Sequence, residues 1–376
     1  MRCYAYTDES GNSGLRLFDV DQETFWTGTL IAFADVDAKY KTFHKELLDT
    51  VGKTELHGSE LGFGGIEKIG GRLSWFIREK KLHFTFGRVH KPFLAASKLF
   101  DLVFDSGANA AMPSHGYGIR QLRLINLMHF VQLLTLDDLK EFWSVFESRD
   151  TQRFSVLLRA IAGRVAGSPY DKRSLQILSD VLNWASEHPD VVLDPFGEGD
   201  SPNFVAFAGL FNHLHDLHEE HGHVIGSFVH DEQNQFVPSF ARAFDFLSKV
   251  KGDERPMSLI SDIRVLPTFD CPLVVRSSSI SFGLQIVDVC LWLVKRVLDR
   301  GDEPRGNCRT LFECLVEKSW MSRFDFDNIV DQVEAGAEYV DQLPLTEEQL
   351  ARGRTILQEL EDSRLSRMKA SELPEH

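Results

Sequence analysis

Four carboxylates stand where a chain seldom leaves a charge without compensation. Asp8 ends a run of strand material, Cys3-Tyr4-Ala5-Tyr6-Thr7-Asp8, in which Tyr4, Tyr6 and Asp8 alternate onto one face before Ser10-Gly11-Asn12-Ser13-Gly14 breaks it. Glu60 follows the Gly58-Ser59 pair. Asp231 ends a second apolar run, Val224-Ile225-Gly226-Ser227-Phe228-Val229-His230, and Asp288 lies inside the apolar stretch Leu284-Gln285-Ile286-Val287-Asp288-Val289. An acid at the end of a core-entering strand is costly unless something offsets its charge. Acids from two strand ends and a helix would make an oxygen-rich pocket of the kind that Mg²⁺ or Mn²⁺ binds. Two such ions ~4 Å apart can activate a water and stabilise the leaving oxygen of a phosphodiester. Each acid also has a structural reading. Asp8 and Glu9 can initiate a turn, Asp231 and Glu232 can cap a helix, and Glu60 can be a solvated turn residue. Asp288 shares a helical stripe with Gln285, Trp292, Lys295 and Asp299 that can mark a solvent face.

The elements that must position these acids follow from periodicity and punctuation. Strands are expected over 24–33 and 81–89, helices over 35–51 and 64–80, and an exposed turn over 55–61. Residues 93–105, 119–134, 137–147, 154–163, 171–187 and 204–221 all read as helices, with Gly, Pro and Ser in the loops between them. That block has no convincing strand. Strand character returns over 223–230. A helix over 236–250, a short strand over 262–267 and another over 273–276 are expected next. Ser281 then caps a strongly apolar helix over 282–298. Further helices follow residue 300, the last starting near Thr346, whose Gln349 has capping-box spacing. The pattern predicts an α/β fold: a mixed β-sheet flanked by helices, carried by 1–91 and 223–300. A large all-helical insertion over 92–222 interrupts it, and a helical C-terminal extension over 301–376 follows it.

Tyr6-Thr7-Asp8-Glu9-Ser10-Gly11, His57-Gly58-Ser59-Glu60-Leu61, Val229-His230-Asp231-Glu232-Gln233 and Gly283-Leu284-Gln285-Ile286-Val287-Asp288 resemble the family catalogued as domain of unknown function 3800. That family is regarded as RNase H-like. The resemblance covers about residues 1–90 and 223–299 and leaves out the helical block and the C-terminal extension. It implies an RNase H-like sheet with a Mg²⁺ or Mn²⁺ site of Asp8, Glu60, Asp231 and Asp288, and hydrolysis of nucleic acid, DNA or RNA undetermined. The chain departs from the RNase H-like order in one respect: Glu60 precedes the third strand, whereas the glutamate there usually follows three consecutive strands.

Other features bound the reading. With 376 residues the chain is long enough for two domains or one with a large insertion. The formal net charge of −15 argues against broad adhesion to nucleic acid or anionic lipid, and it leaves a metal-assisted local site open. Five cysteines without paired spacing, no basic-then-apolar leader and no apolar run near ~20 residues predict a reduced, cytoplasmic protein with no membrane association. His57 and His230 flank proposed ligands, where either can shuttle a proton, orient a phosphate or serve structure. His213, His215, His218, His221 and His223 admit a zinc or nickel site, or simply the polar face of a helix. Lys91, Arg120, Arg123, Lys172 and Arg173 can contact a polyanion or be ordinary surface charge. The leading expectation is a divalent-metal-dependent nuclease, with a small-molecule phosphoesterase using the same acids as a variant of it. The alternative is a catalytically inactive RNase H-like scaffold, whose helical additions would bind a protein partner or a second copy of the chain.

Overall fold

The computed structural model describes residues 2–11, 16–193, 202–232, 271 and 273–371. The expected helix over 236–250 and strand over 262–267 lie outside these residues, as does most of the turn after Gly11. The chain divides into two compact units, one of Met1–Lys91 with Glu198–Phe324 and one of Pro92–Gly197 with Asp325–His376.

The first unit is α/β. Its mixed sheet has six strands, β1 (Arg2–Ser10), β2 (Thr24–Ala32), β3 (His83–His90), β4 (Val224–Asp231), β5 (Leu273–Arg276) and β6 (Ser319–Phe324), in the order β5-β4-β1-β2-β3-β6. Strands β1, β2 and β3 are antiparallel neighbours, while β4 runs parallel to β1, β5 parallel to β4 and β6 parallel to β3. Because β1 and β4 run side by side in one direction, their carboxyl ends reach the same edge of the sheet. In open α/β sheets that edge is where ligands bind.

Helices cover both faces of this sheet. Tyr6, Trp26, Leu30, Phe84 and Phe86 point to the face packed by the Phe282–Arg300 helix and, beyond it, the Gly58–Glu79 and Gly306–Lys318 helices. Cys3, Ala5, Ile31, Ile225 and Phe228 point to the other face and meet Phe207, Ala208, Phe211 and Leu214 of the Pro202–His221 helix. That apolar stripe places the Pro202–His221 helix in the sheet unit, although its sequence reads as the end of the helical block. All five cysteines are free thiols. Among the described residues no helix is long and apolar enough to cross a membrane.

Three local readings need correction. The 35–51 helix is broken at Tyr40 into a single turn, Val36–Lys39, and the Lys41–Val51 helix. The segment expected as an exposed turn before residue 64 is instead the first turn of the Gly58–Glu79 helix, interrupted at Gly62, whose φ of 54° only glycine adopts readily. Strand β6 stands where only helix was expected. Its six residues are all half-buried, so they carry no clean alternation of apolar and polar positions.

The second unit is helical. Its helices include Lys172–Glu187, whose Asp171 caps two backbone N–H groups, and Glu347–Ser371, opened by the Thr346/Gln349 capping box that the spacing predicts. Arg364 fastens the last helix. Its guanidinium is fully buried and donates to Asp180 at 2.8 Å, to Glu361 at 2.7 and 2.9 Å, and to the Ala111 carbonyl at 3.1 Å. The two bonds from Arg364 to Glu361, with a further one from Arg173, hold the Glu361 carboxyl down to about 2. Arg364→Met keeps most of the volume but leaves Asp180 without this partner inside the unit. A loss of about 3 kcal/mol is expected in urea denaturation, and an unchanged midpoint would show that the ion pair contributes nothing net.

Candidate active site

Asp8, Asp231 and Asp288 line one cavity of about 330 Å³ in the sheet unit. Each arrives by a different route. Asp8 lies near the carboxyl end of β1, on the same side as Tyr6, and is only 6% exposed. Its Oδ1 accepts the Glu9 backbone N–H at 2.8 Å. Asp231 ends β4, and its Oδ1 accepts the Ser278 N–H at 2.8 Å. Asp288 reaches in from the Phe282–Arg300 helix, with Oδ2 accepting the Gly58 N–H at 2.7 Å.

Two close approaches explain the glycines of the quoted motifs. A Cβ on Gly283 would sit 2.4 Å from the Tyr6 ring, so glycine lets the start of the Phe282–Arg300 helix lie against β1. A Cβ on Gly58 would sit 2.4 Å from the Trp292 Cβ, so glycine lets the loop N–H come down onto Asp288. Gln285, one turn before Asp288, is fully buried rather than on a solvent face. Its Nε2 donates to the Ser278 carbonyl at 2.9 Å, and its Oε1 accepts the Leu56 N–H at 3.1 Å and faces His44 Nε2 at 2.7 Å.

The remaining predicted ligand is elsewhere. Glu60 is exposed, pairs with Lys53 at 3.2 Å and does not line the cavity. As the third residue of the Gly58–Glu79 helix it projects from the outer side of the first turn. Glu55, five residues earlier, lines the wall in its place. Glu9 also lines it, though it follows Asp8 and points to the other face of β1, because the cavity opens at the strand end. Glu9 is 6% exposed; its Oε2 lies 3.2 Å from Nε2 of the fully buried His230, and its Oε1 is buried with no hydrogen-bond partner among the described residues. His230 Nδ1 faces the Asp231 carbonyl at 2.7 Å, and a carbonyl only accepts, so Nδ1 is the N–H. His57 stands at the rim, with Nδ1 3.6 Å from Asp288 Oδ2. Neither Glu9 nor Glu55 stands out by spacing. The one signal for Glu9 is its place beside Asp8 in the opening motif.

The electrostatics are those of a crowded acid site. Burial, then the charges of Asp288 and Asp231, push the Asp8 carboxyl well above its usual range. Burial also raises Asp288, against the Gly58 N–H and His57, with Asp231 and Glu55 adding to the rise. The described lining residues include five carboxylates and no lysine or arginine. Among the described residues, no group of three or more His, Cys, Asp or Glu side chains is arranged so that it could hold a metal ion as it stands. The five carboxylates nevertheless suit a hard divalent cation: oxygen donors, anionic, and with one buried acceptor, Glu9 Oε1, unused among the described residues.

Two of the clustered histidines have structural contacts. His213 stacks on Trp320 at 4.7 Å and is pushed down to about 4 by burial, and His218 Nδ1 bonds the His223 carbonyl at 2.9 Å. Lys91, which reads as surface charge, is fully buried.

Compared with protein-family models, with curated proteins and with solved structures, the chain matches none.

Proposed function

We propose that this chain is a divalent-metal-dependent nuclease on an RNase H-like sheet, related to the family catalogued as domain of unknown function 3800. One observation carries the reading. Carboxylates from the ends of two adjacent parallel strands and from a buried helix face a single cavity that has no lysine or arginine among its described lining residues, beside a buried carboxylate oxygen without a hydrogen-bond partner among the described residues. A buried structural acid is ordinarily given a lysine or an arginine. Asp8, Asp231 and Asp288 would hold Mg²⁺ or Mn²⁺, with Glu9 and Glu55 within the same wall. Bound there, the ion supplies an activated water and charge stabilisation for phosphodiester hydrolysis. The chain's own groups do the rest. The Ser278 and Gly58 N–H groups fix the two outer carboxylates, Trp292 closes one side, and His57 at the rim can hand a proton to the leaving oxygen.

The second reading, an inactive scaffold serving as a protein-interaction module or as a dimerising surface, is favoured by the absence of a ready-made metal group among the described residues. Calorimetry with Mn²⁺ on the wild type and on Asp231→Asn separates the two. The nuclease reading expects binding by the wild type, a loss of roughly 10–100-fold or more in the variant, and Mn²⁺-dependent cleavage of DNA or RNA by the wild type alone. Cleavage by Asp231→Asn at the wild-type rate would remove this reading.

A further inference from the structure

A second cavity of about 330 Å³ adjoins the first, and its lining includes Arg88, Lys295 and Arg300. Two contacts join the cavities. Ser10 lines the carboxylate cavity, and Lys295, lining the other, donates from Nζ to Ser10 Oγ at 3.0 Å. Gly11 lines the first and Thr24 the second, and a Cβ on Gly11 would stand 2.9 Å from the Thr24 carbonyl oxygen. The same helix floors both. Asp288, Trp292, Lys295 and Asp299 follow at intervals of four, three and four, so they share one face. The stripe that can pass for a solvent face is therefore the floor of a two-chambered groove.

The charge differs along it. Among the described residues the carboxylate chamber has no lysine or arginine in its wall. In the second chamber Asp299 is engaged by Arg88 at 3.3 Å and by the Trp26 indole at 2.7 Å, while Asp21 and Glu23 stand exposed. The lining pairs three acids with three bases, Arg88, Lys295 and Arg300. Lys295 is half-buried, and Lys91, next to His90 of the lining, is fully buried with no hydrogen-bond partner for its Nζ among the described residues. Burial first, and then the charge of Lys295, pull the Lys91 ammonium below its usual range, with Asp19 opposing. A buried ammonium group without a hydrogen-bond partner among the described residues, beside a cavity whose wall carries three further cations, calls for an anion.

We propose that the Arg88–Lys295–Arg300 chamber binds a phosphate of the same single nucleic-acid strand whose phosphodiester lies in the carboxylate chamber. This rests on the nuclease reading of the carboxylate cavity. Seven residues of helix separate Asp288 from Lys295, about 10 Å at 1.5 Å per residue, which matches about three steps of a stacked strand at ~3.4 Å each. Trp292, between them, offers an aromatic face for an intervening base.

The test measures fluorescence anisotropy of labelled DNA and RNA single strands of about ten nucleotides, with Mn²⁺, on full-length Asp8→Asn, which holds a strand without cutting it. Adding Lys295→Gln is expected to weaken strand binding about ten-fold and to flatten the slope of log affinity against log salt by about 0.7. Arg300→Gln, on an exposed side chain, serves as the second variant and shifts both readings in the same direction. Inorganic phosphate is expected to compete only at far higher concentration than the strand. Strand affinity and salt slope unchanged in both variants, or no strand binding at all, would overturn the proposal. So would inorganic phosphate binding as tightly as the strand. Strand binding that depends on Lys295, in a chain that never cleaves, would sink the nuclease reading and leave this subsite standing.

Discussion

Asp8→Asn is expected to abolish metal-dependent hydrolysis while making the metal-free protein more stable. Asparagine is isosteric and can keep the bond from the Glu9 N–H to Oδ1, so the strand end has no reason to move. What disappears is a charge that is 6% exposed and faces two more carboxylates in the same cavity. Two unit charges several ångströms apart at an effective dielectric near 20 repel by on the order of 1–2 kcal/mol, which is the gain expected. The pH dependence has a definite sign. A carboxyl raised in the folded state binds more protons folded than unfolded, so stability is full below the ordinary value of 3.8 and is lost as pH rises through the raised value. Asp288, raised by burial, acts in the same direction. The wild type in EDTA is therefore expected to lose urea resistance as pH rises above the ordinary carboxylate value of 3.8. Asp8→Asn should flatten that decline, and Mn²⁺ should reverse it in the wild type only. The catalytic loss is expected to be roughly 10²–10³-fold or more. A variant less stable than the wild type in EDTA near neutral pH would show that Asp8 is compensated by something other than a cation.

The parts of this site that could be read without coordinates are those whose signal is local. Asp8 and Asp231 declare themselves because an apolar run stops on each, and Asp288 because it interrupts an apolar helix. Thr346 with Gln349 and Ser281 before its helix are equally local, and both cap as their chemistry requires. The exchange of Glu60 for Glu55 is not local. It depends on which loop residue faces inward once Gln285 and Asp288, some 230 positions away, have gripped the backbone at Leu56 and Gly58. Lys91 and Gln285 fail for another reason. Hydrophobic periodicity treats any polar residue as exposed, so it has no way to mark one that is buried for a partner or for a ligand. Strand β6 is a half-buried edge pairing with β3 over more than 200 residues of chain, and its own sequence leaves that pairing unspecified.

Gln285→Leu is expected to be the most disruptive single change in the sheet unit that touches no proposed ligand. The side chain is fully buried, and one amide serves both sides of the cavity. Its Nε2 holds the Ser278 carbonyl, and the N–H of that same residue holds Asp231. Its Oε1 holds the Leu56 N–H, two residues before the Gly58 N–H that holds Asp288. Leucine fills nearly the same volume, so the loss is one of hydrogen bonding rather than of packing. Each buried group left unpaired costs about 1–3 kcal/mol. With the Leu56 N–H and the Ser278 carbonyl both released, about 3 kcal/mol is expected in denaturant midpoints. The functional effect follows from position: with the two backbone donors no longer fixed, Asp231 and Asp288 lose their orientation, and Mn²⁺ affinity should fall roughly 10–100-fold. Gln285→Glu sharpens the assignment. It keeps an acceptor for Leu56 but has no donor for Ser278, so it should spare the Asp288 side and loosen the Asp231 side. If Gln285→Leu lowers stability while Mn²⁺ affinity stays at the wild-type value, the amide holds the fold alone and the carboxylates are positioned by their own backbone bonds.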